Sequence, residues 1–193
     1  SSTSRGLGDV YKRQRYAKAL LDLSRERQMM DIVKADSDLI LAAIGESRDF
    51  RNFLKSAILK PEQKEKTFAA VFSNQLSEIT MLFVNLLIKH GREAHLEEVF
   101  EKYIVQYLKE NKIIKAQISS SSPLLKDQKD RLLSLLNFGE TSSILLEEKI
   151  DPELIGGFIL RVGDQQINAS ASEALSQLEQ EFNKNLYLSL IHI

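Results

Sequence analysis

Residues Ile144 to Ser170 read ILLEEKIDPELIGGFILRVGDQQINAS, and the punctuation of this stretch decides the fold. Ile144, Leu145 and Leu146 predict a short buried strand, broken by a turn at Asp151-Pro152. Gly156-Gly157 opens a second apolar run, Phe158-Ile159-Leu160, which continues through Val162 to a turn at Gly163-Asp164. Two adjacent glycines at the start of a strand mark a bulge or a close backbone approach. A phosphate nest is the other use of such a pair, but no Lys follows at P-loop spacing. The stretch is therefore strand, turn, strand, turn, with a third short strand around 166–168 and a helix from about Ser170 to Leu186.

Working back toward the N-terminus, Ile114, Ala116 and Ile118 alternate with polar residues, as in a half-buried strand. Ser119 to Pro123 form a loop, and Leu124 to Leu136 has the spacing of an amphipathic helix. Before Lys112 the period becomes helical throughout. Ala94 to Asn111 turns Leu96, Val99, Phe100, Tyr103, Ile104 and Tyr107 inward. Ile79 to Lys89, ITMLFVNLLIK, is apolar nearly all round. Ile79, Leu82, Phe83, Leu86 and Leu87 make one broad face, and Met81, Val84 and Ile88 make a second. Such a helix is central in its bundle or has a partner on each side. Pro61 suits the first turn of a helix carrying Phe68, Val71 and Phe72, and Ser47 suits the N-cap of a short helix carrying Phe50, Phe53 and Leu54. Met29 to Ile44 is amphipathic through Ile32, Leu39, Ile40 and Ala43, with Gly45 placed to end it. Arg15 to Arg27 puts Tyr16, Ala19, Leu20 and Leu23 on one face. The expected fold is mainly α with a small α+β part: a six-helix bundle over 15–111 and a βαββ(β)α domain over 112–187.

The two ends read differently. LSLIHI, Leu188 to Ile193, can be encoded by CTG TCT CTT ATA CAC ATC, whose reverse complement translates as DVYKRQ, which is Asp9 to Gln14. Ends that are opposite-strand readings of each other are expected from inverted copies of one DNA tag, resembling a transposon end used in sequencing libraries. Ser4 to Gly8 fits a back-translation of the adjoining adapter. Residues 1–14 and 188–193 are accordingly read as non-native and set aside from fold reasoning.

Composition narrows the function. The chain has 193 residues, 43% of them hydrophobic, and a net charge of −1, so it can bury roughly 70% of its unfolded surface as one or two domains. It has no cysteine, which excludes disulfides, thiol catalysis and Cys-based metal sites. The balanced charge argues against nucleic acid as a main partner. No run approaches the ~18 apolar residues of a membrane span, so contact with a membrane would be indirect, through partners. His90 and His95 are five apart with Gly91 between them, which is not the i,i+4 spacing of a zinc pair. Glu147 and Glu148 are adjacent on a strand and point to opposite faces, so they do not converge as an acid and a base. Ser119 to Ser122 lack the setting of a nucleophile elbow. Arg92, after the helix-ending Gly91, reads as a C-cap donor or ion-pair partner. No catalytic residue, cofactor or metal site is expected.

The motifs Asp151-Pro152-Glu153-Leu154-Ile155-Gly156-Gly157 and Gly163-Asp164 resemble the C-terminal signature of the F-type ATP synthase delta subunit family, called oligomycin-sensitivity-conferring protein in mitochondria. Asn168 stands where that family usually has Asp. The opening Arg15-Tyr16-Ala17-Lys18-Ala19-Leu20, the proline at 61 followed by Lys64 or Lys66, and Asn85-Leu86 before Gly91-Arg92 are similar to the same family. The resemblance implies a non-catalytic stator. It implies that the helical domain grips the N-terminal helix of an alpha subunit in a groove between the first and fifth helices, involving Tyr16, Ala19, Leu20, Leu23, Leu82, Phe83, Leu86 and Leu87. It implies that the C-terminal domain holds the C-termini of the peripheral-stalk b subunits, at the cytoplasmic face of the cell inner membrane. A small α+β enzyme binding an anion at Gly156-Gly157, or a helical scaffold of another complex, are the alternatives from the residues alone. The reading of the ends makes a prediction of its own. Deleting 1–14 and 188–193 should shift the melting temperature little, because an arbitrary DNA translation has no selected complementarity to a fold. A large drop measured by calorimetry would defeat it.

Overall fold

The computed structural model describes residues 2–136, 143–154, 156–163, 165–170 and 180. The chain is mostly helical with one small mixed sheet, and it divides into two compact units, Ser1–Tyr107 and Leu108–Ile193.

The first unit is built from α1 (Ser2–Glu26), α2 (Met30–Glu46), α3 (Arg48–Lys55), α4 (Pro61–Phe72), α5 (Glu78–Lys89), a 3-10 turn at Glu93–His95, and α6, which starts at Leu96 and runs to Glu110. α1 extends N-terminally through the tag-like residues, which contain no proline to stop it, and Leu7 and Tyr11 stand in solvent. Arg13 in this extension pairs with Glu98 of α6. The Ser47 hydroxyl accepts from the Phe50 N–H at 3.1 Å and starts α3. Pro61 begins α4, where its missing N–H costs nothing. Gly45 does not end α2; the helix continues to Glu46, and Ser47 turns the chain with extended backbone. Phe50, Phe53, Phe68 and Phe72 form a ring cluster where α3 meets α4, with the Phe68 and Phe72 centroids 4.7 Å apart.

The core face of α2 differs from the apolar stripe read in its sequence. Val33, Asp36, Ser37, Ile40 and Ile44 are buried, whereas Ile32 and Leu39 are exposed. Two polar side chains are inside because each has a hydrogen-bond partner there. Ser37 Oγ donates to the Val33 carbonyl, and Asp36 reaches the start of α5. Tyr103 of α6, also fully buried, donates its hydroxyl to the Met30 carbonyl at 3.0 Å and lies 3.2 Å from Ser24 Oγ. One phenol thus ties α1, α2 and α6 together.

The second unit has β1 (Ile113–Ser120), α7 (Lys126–Leu135), β2 (Ser143–Ile150), β3 (Gly157–Val162) and β4 (Gln165–Ser170), in the sheet order β2-β1-β3-β4. β2 runs parallel to β1 and the other pairs are antiparallel. Leu132 and Leu136, at the end of α7, pack on Ala116, Ile118, Leu160, Val162 and Ile167. Ile144 and Leu146 of β2 lie against this core, but Leu145 points the other way and is exposed. The continuous apolar run is therefore not a wholly buried strand: at a sheet edge only alternate residues meet the core. Of the helix expected from about Ser170 to Leu186, Ser170 instead ends β4 and Gln180 is helical, while the remaining residues and the 188–193 tail lie outside the described ones.

Tyr107 supplies a pH test of the first unit. Its hydroxyl donates to Asp31 Oδ1 at 2.5 Å. That bond, followed by burial and nearby negative charge, raises its pKa from 10.0 to about 12. The protonated form is thus favoured in the fold, so its stabilisation is complete below the unfolded value and is lost as pH rises through about 12. Tyr107→Phe should remove a phenolate absorbance step near pH 12 and flatten the fall in stability between pH 10 and 12. A step at the unfolded value would show that the bond does not form.

Candidate functional site

α5 has more apolar surface than one core can cover. Ile79, Phe83, Val84, Leu87 and Ile88 are buried, with Thr80 beside them. Leu82 and Leu86, four residues apart and so on one side of the helix, are 63% and 46% exposed. On α1 the core takes Ala17, Leu20, Leu21 and Ser24, and leaves Leu23 37% exposed. Leu23, Leu82 and Leu86 come together with Arg27, Met29, Glu78, Ile79 and Phe83 around an open depression of about 350 Å³. Three exposed leucines beside one another make a contiguous apolar patch, the kind of surface that a partner covers.

The residues that the sequence nominated for a groove divide into three groups. Leu23, Leu82, Phe83 and Leu86 line the depression. Tyr16 and Ala19 lie further along α1 and line a second recess with Lys12, Arg15 and Arg92. Leu20 and Leu87 are enclosed in the core and line neither recess. Arg27, Met29, Glu78 and Ile79 were not nominated. For Arg27 the signal was present, since it follows Leu23 by four residues on the same helical stripe.

Both ends of α5 are closed by specific bonds. At its start, the Ser77 hydroxyl accepts from the Thr80 N–H at 3.4 Å. Asp36 Oδ2, on α2, accepts from the Ser77 N–H at 3.0 Å, the Ser77 hydroxyl at 2.5 Å and the Thr80 hydroxyl at 2.7 Å. A buried carboxylate with three donors at a positive helix end is well compensated. At the other end, the Gly91 N–H bonds the Ile88 carbonyl and the Arg92 N–H bonds the Leu87 carbonyl. With Gly91 at φ 66°, this is a Schellman motif, which accounts for the glycine at 91. Beyond it, buried Lys64 of α4 pairs with Glu93 and donates to the Leu54 carbonyl at 3.3 Å. Of the two candidate lysines after Pro61, Lys64 is the one that is built in; Lys66 is exposed.

The glycine motif of the second unit makes turns. The Asp151 carbonyl accepts from the Leu154 N–H at 3.1 Å, with Pro152 second in the turn, and Asp151 Oδ1 accepts from the Glu153 N–H. Gly156 and Gly163 have φ of 56° and 59°, a region that L side chains disfavour. Gly157 starts β3 opposite Ser170 of β4. Asp164 lies outside the described residues. Glu147 pairs with Lys115 at 3.2 Å and Glu148 with Lys129 of α7 at 2.7 Å. The two carboxylates are on opposite faces of the sheet and form no acid–base pair. Among the described residues, no three His, Asp or Glu side chains are grouped to hold a metal, and no helix is long and apolar enough to cross a membrane.

An apolar groove on the helical unit, with no metal cluster or acid–base pair among the described residues, is the feature that the comparisons bear on. Residues 13–182 match the family model for the ATP synthase delta (OSCP) subunit, so the chain belongs to that family. It is 35% identical over 178 residues to ATP synthase subunit delta of Christiangramia forsetii, covering 92% of this chain and 96% of that one. It is 29% identical over 172 residues to ATP synthase subunit delta of Cytophaga hutchinsonii, covering 89% and 94%. The fold is similar to a chain in the Toxoplasma gondii mitochondrial ATP synthase hexamer, with a TM-score of 0.61 at 23% identity over 89% of this chain and 97% of that one. As a member of this family the chain is a non-catalytic stator subunit of ATP synthase.

The seating of α5 can be tested. Asp36→Ala leaves the Ser77 and Thr80 donors without their acceptor and should cost about 3 kcal/mol in denaturant unfolding. A loss below about 0.5 kcal/mol would mean that the helix holds its place without the carboxylate.

Proposed function

We propose that this chain links the alpha/beta catalytic head of an ATP synthase to the peripheral stalk. The helical unit, 15–111, receives the N-terminal amphipathic helix of an alpha subunit. The α+β unit, 112–187, holds the C-termini of the b subunits. The assembly lies at the cytoplasmic face of the cell inner membrane, and this chain meets the membrane only through the complex. Its mechanical task is to keep the head from turning with the central rotor, so that torque drives ATP synthesis. Two compact units give the chain separate surfaces for two partners.

The observation that carries the head-binding half is the row of exposed Leu23, Leu82 and Leu86 on two helices that each bury another apolar face in the core. A helix laid into this row would bury apolar area on both walls without disturbing either helix. The anion-binding enzyme reading lacks comparable support, since Gly156 is used as a turn residue and Glu147 and Glu148 are separately ion-paired.

A pair of substitutions on α5 separates groove from core. Leu86→Asp places a charge on the exposed side and should weaken binding of an alpha-derived helical peptide by about 2 kcal/mol or more, roughly 30-fold, with the melting temperature nearly unchanged. Val84→Asp puts the same charge at a fully buried site and should unfold the helical unit. Calorimetric titration of the peptide into Leu86→Asp decides the matter: a parental Kd would exclude this groove as the seat.

A further inference from the structure

The groove between α1 and α5 has two unlike ends. Lys12, Tyr16, Ala19, Leu23 and Arg27 follow one another by three or four residues, so they form a single stripe along α1. At one end Arg27 shares the apolar depression with Glu78, and the charges offset each other. At the other end the recess of about 400 Å³ is lined by Lys12, Arg15, Tyr16, Ala19 and Arg92, with three cations and no carboxylate. Neighbouring Arg13 has its acid, Glu98. Among the described residues, Arg15 and Arg92 pair with none. The Schellman bonds described above hold the backbone of Arg92 in place at the end of α5. Lys12 falls in the tag-like segment, which leaves Arg15 and Arg92 as the cations of the recess outside it.

We infer that this recess receives carboxylates of the helix that fills the groove, and that Arg15 and Arg92 decide which way round that helix lies. The inference rests on the groove reading above. Tyr16 and Leu23 are two helical turns apart, roughly 10 Å. The occupant must therefore carry Asp or Glu about two turns from its apolar anchors, at one end only. In that direction each carboxylate meets a planar guanidinium able to bind it with two N–H groups. Turned round, the same acids would lie over Glu78 while the arginines stayed unpaired, so the wrong orientation is penalised as well as the right one favoured. A phosphate-bearing membrane surface would also suit two arginines. It would not use the apolar row that continues from the recess along the same two helices, and the helix is therefore the occupant that the whole surface fits.

The test uses the full chain, R15E/R92E, the milder R15Q/R92Q, and Leu86→Asp, each checked for an unchanged melting curve. The probe is a synthetic peptide of the alpha-subunit N-terminal helix, with a second peptide in which its Asp and Glu are changed to Asn and Gln. R15E/R92E should bind the first peptide about tenfold more weakly at low salt, mainly through slower association, and with a flatter salt dependence. R15Q/R92Q should fall between. The amide peptide should bind the parent as weakly as the acidic peptide binds R15E/R92E, with no further loss when the two changes are combined. Parental affinity and salt dependence in R15E/R92E, with binding still abolished in Leu86→Asp, would overturn this inference and leave the groove standing. Unimpaired binding by Leu86→Asp would remove the groove and this inference together. Loss of sedimentation with anionic vesicles in R15E/R92E, without change in peptide affinity, would assign the recess to lipid and overturn it as well.

Discussion

A helix that is apolar around most of its circumference has no hydrophobic reason to choose one face for the core. For α5 the choice falls to Asp36, whose single carboxylate oxygen takes donors from Ser77 and Thr80 at the helix start. Hydrogen bonds are directional where burial is not. Three of them on one oxygen fix the rotation of α5 as well as its position. Once that rotation is set, Phe83, Val84 and Leu87 must enter the core, and Leu82 and Leu86 must face out. The exposed leucine row is thus a consequence of a bond made on the far side of the helix.

The opposite wall is set in a similar way. Tyr103 brings the Ser24 hydroxyl of α1 and the Met30 carbonyl of α2 to one buried phenol. α2 therefore holds α5 through Asp36 and is joined to α1 through Tyr103, and the groove lies between two helices with a common anchor. A stator subunit gains little from internal flexibility. Preorganised walls also reduce the ordering cost of taking up a helix.

How far the sequence foretold this depends on which physical signal each feature leaves. The helices of the first unit and the strands of the second are visible because burial imposes periods of 3.6 and 2 on the chain. Gly91 and Gly156 are visible because positive φ demands a particular residue. The face of α2 is not visible. Counting apolar residues turns Ile32 and Leu39 inward, whereas Asp36 and Ser37 occupy the core. No local pattern announces this, because the partner of Asp36 lies 41 residues further on. For the same reason the sequence showed two apolar faces on α5 but not which residues of the nominated face, Leu87 included, would be enclosed, and it offered Lys64 and Lys66 without saying which would be built in.

That last pair shows what buried polar contacts contribute here. Lys64 and Glu93 are both largely removed from water, and the cost of desolvating two charges consumes much of their attraction. An apolar pair of the same volume could give as much stability. It could not distinguish one packing of α3, α4 and the 3-10 turn from a slightly slid one, because apolar surfaces tolerate small displacements and buried unpaired charges do not. Lys64 also donates to the Leu54 carbonyl, so the turn that follows Gly91 and Arg92 is tied to the end of α3. The turn carrying Arg92 is in this way located by a charge pair whose value is geometric rather than energetic. The contact fixes where the Arg92 backbone leaves the end of α5, which an apolar pair of the same volume would not do.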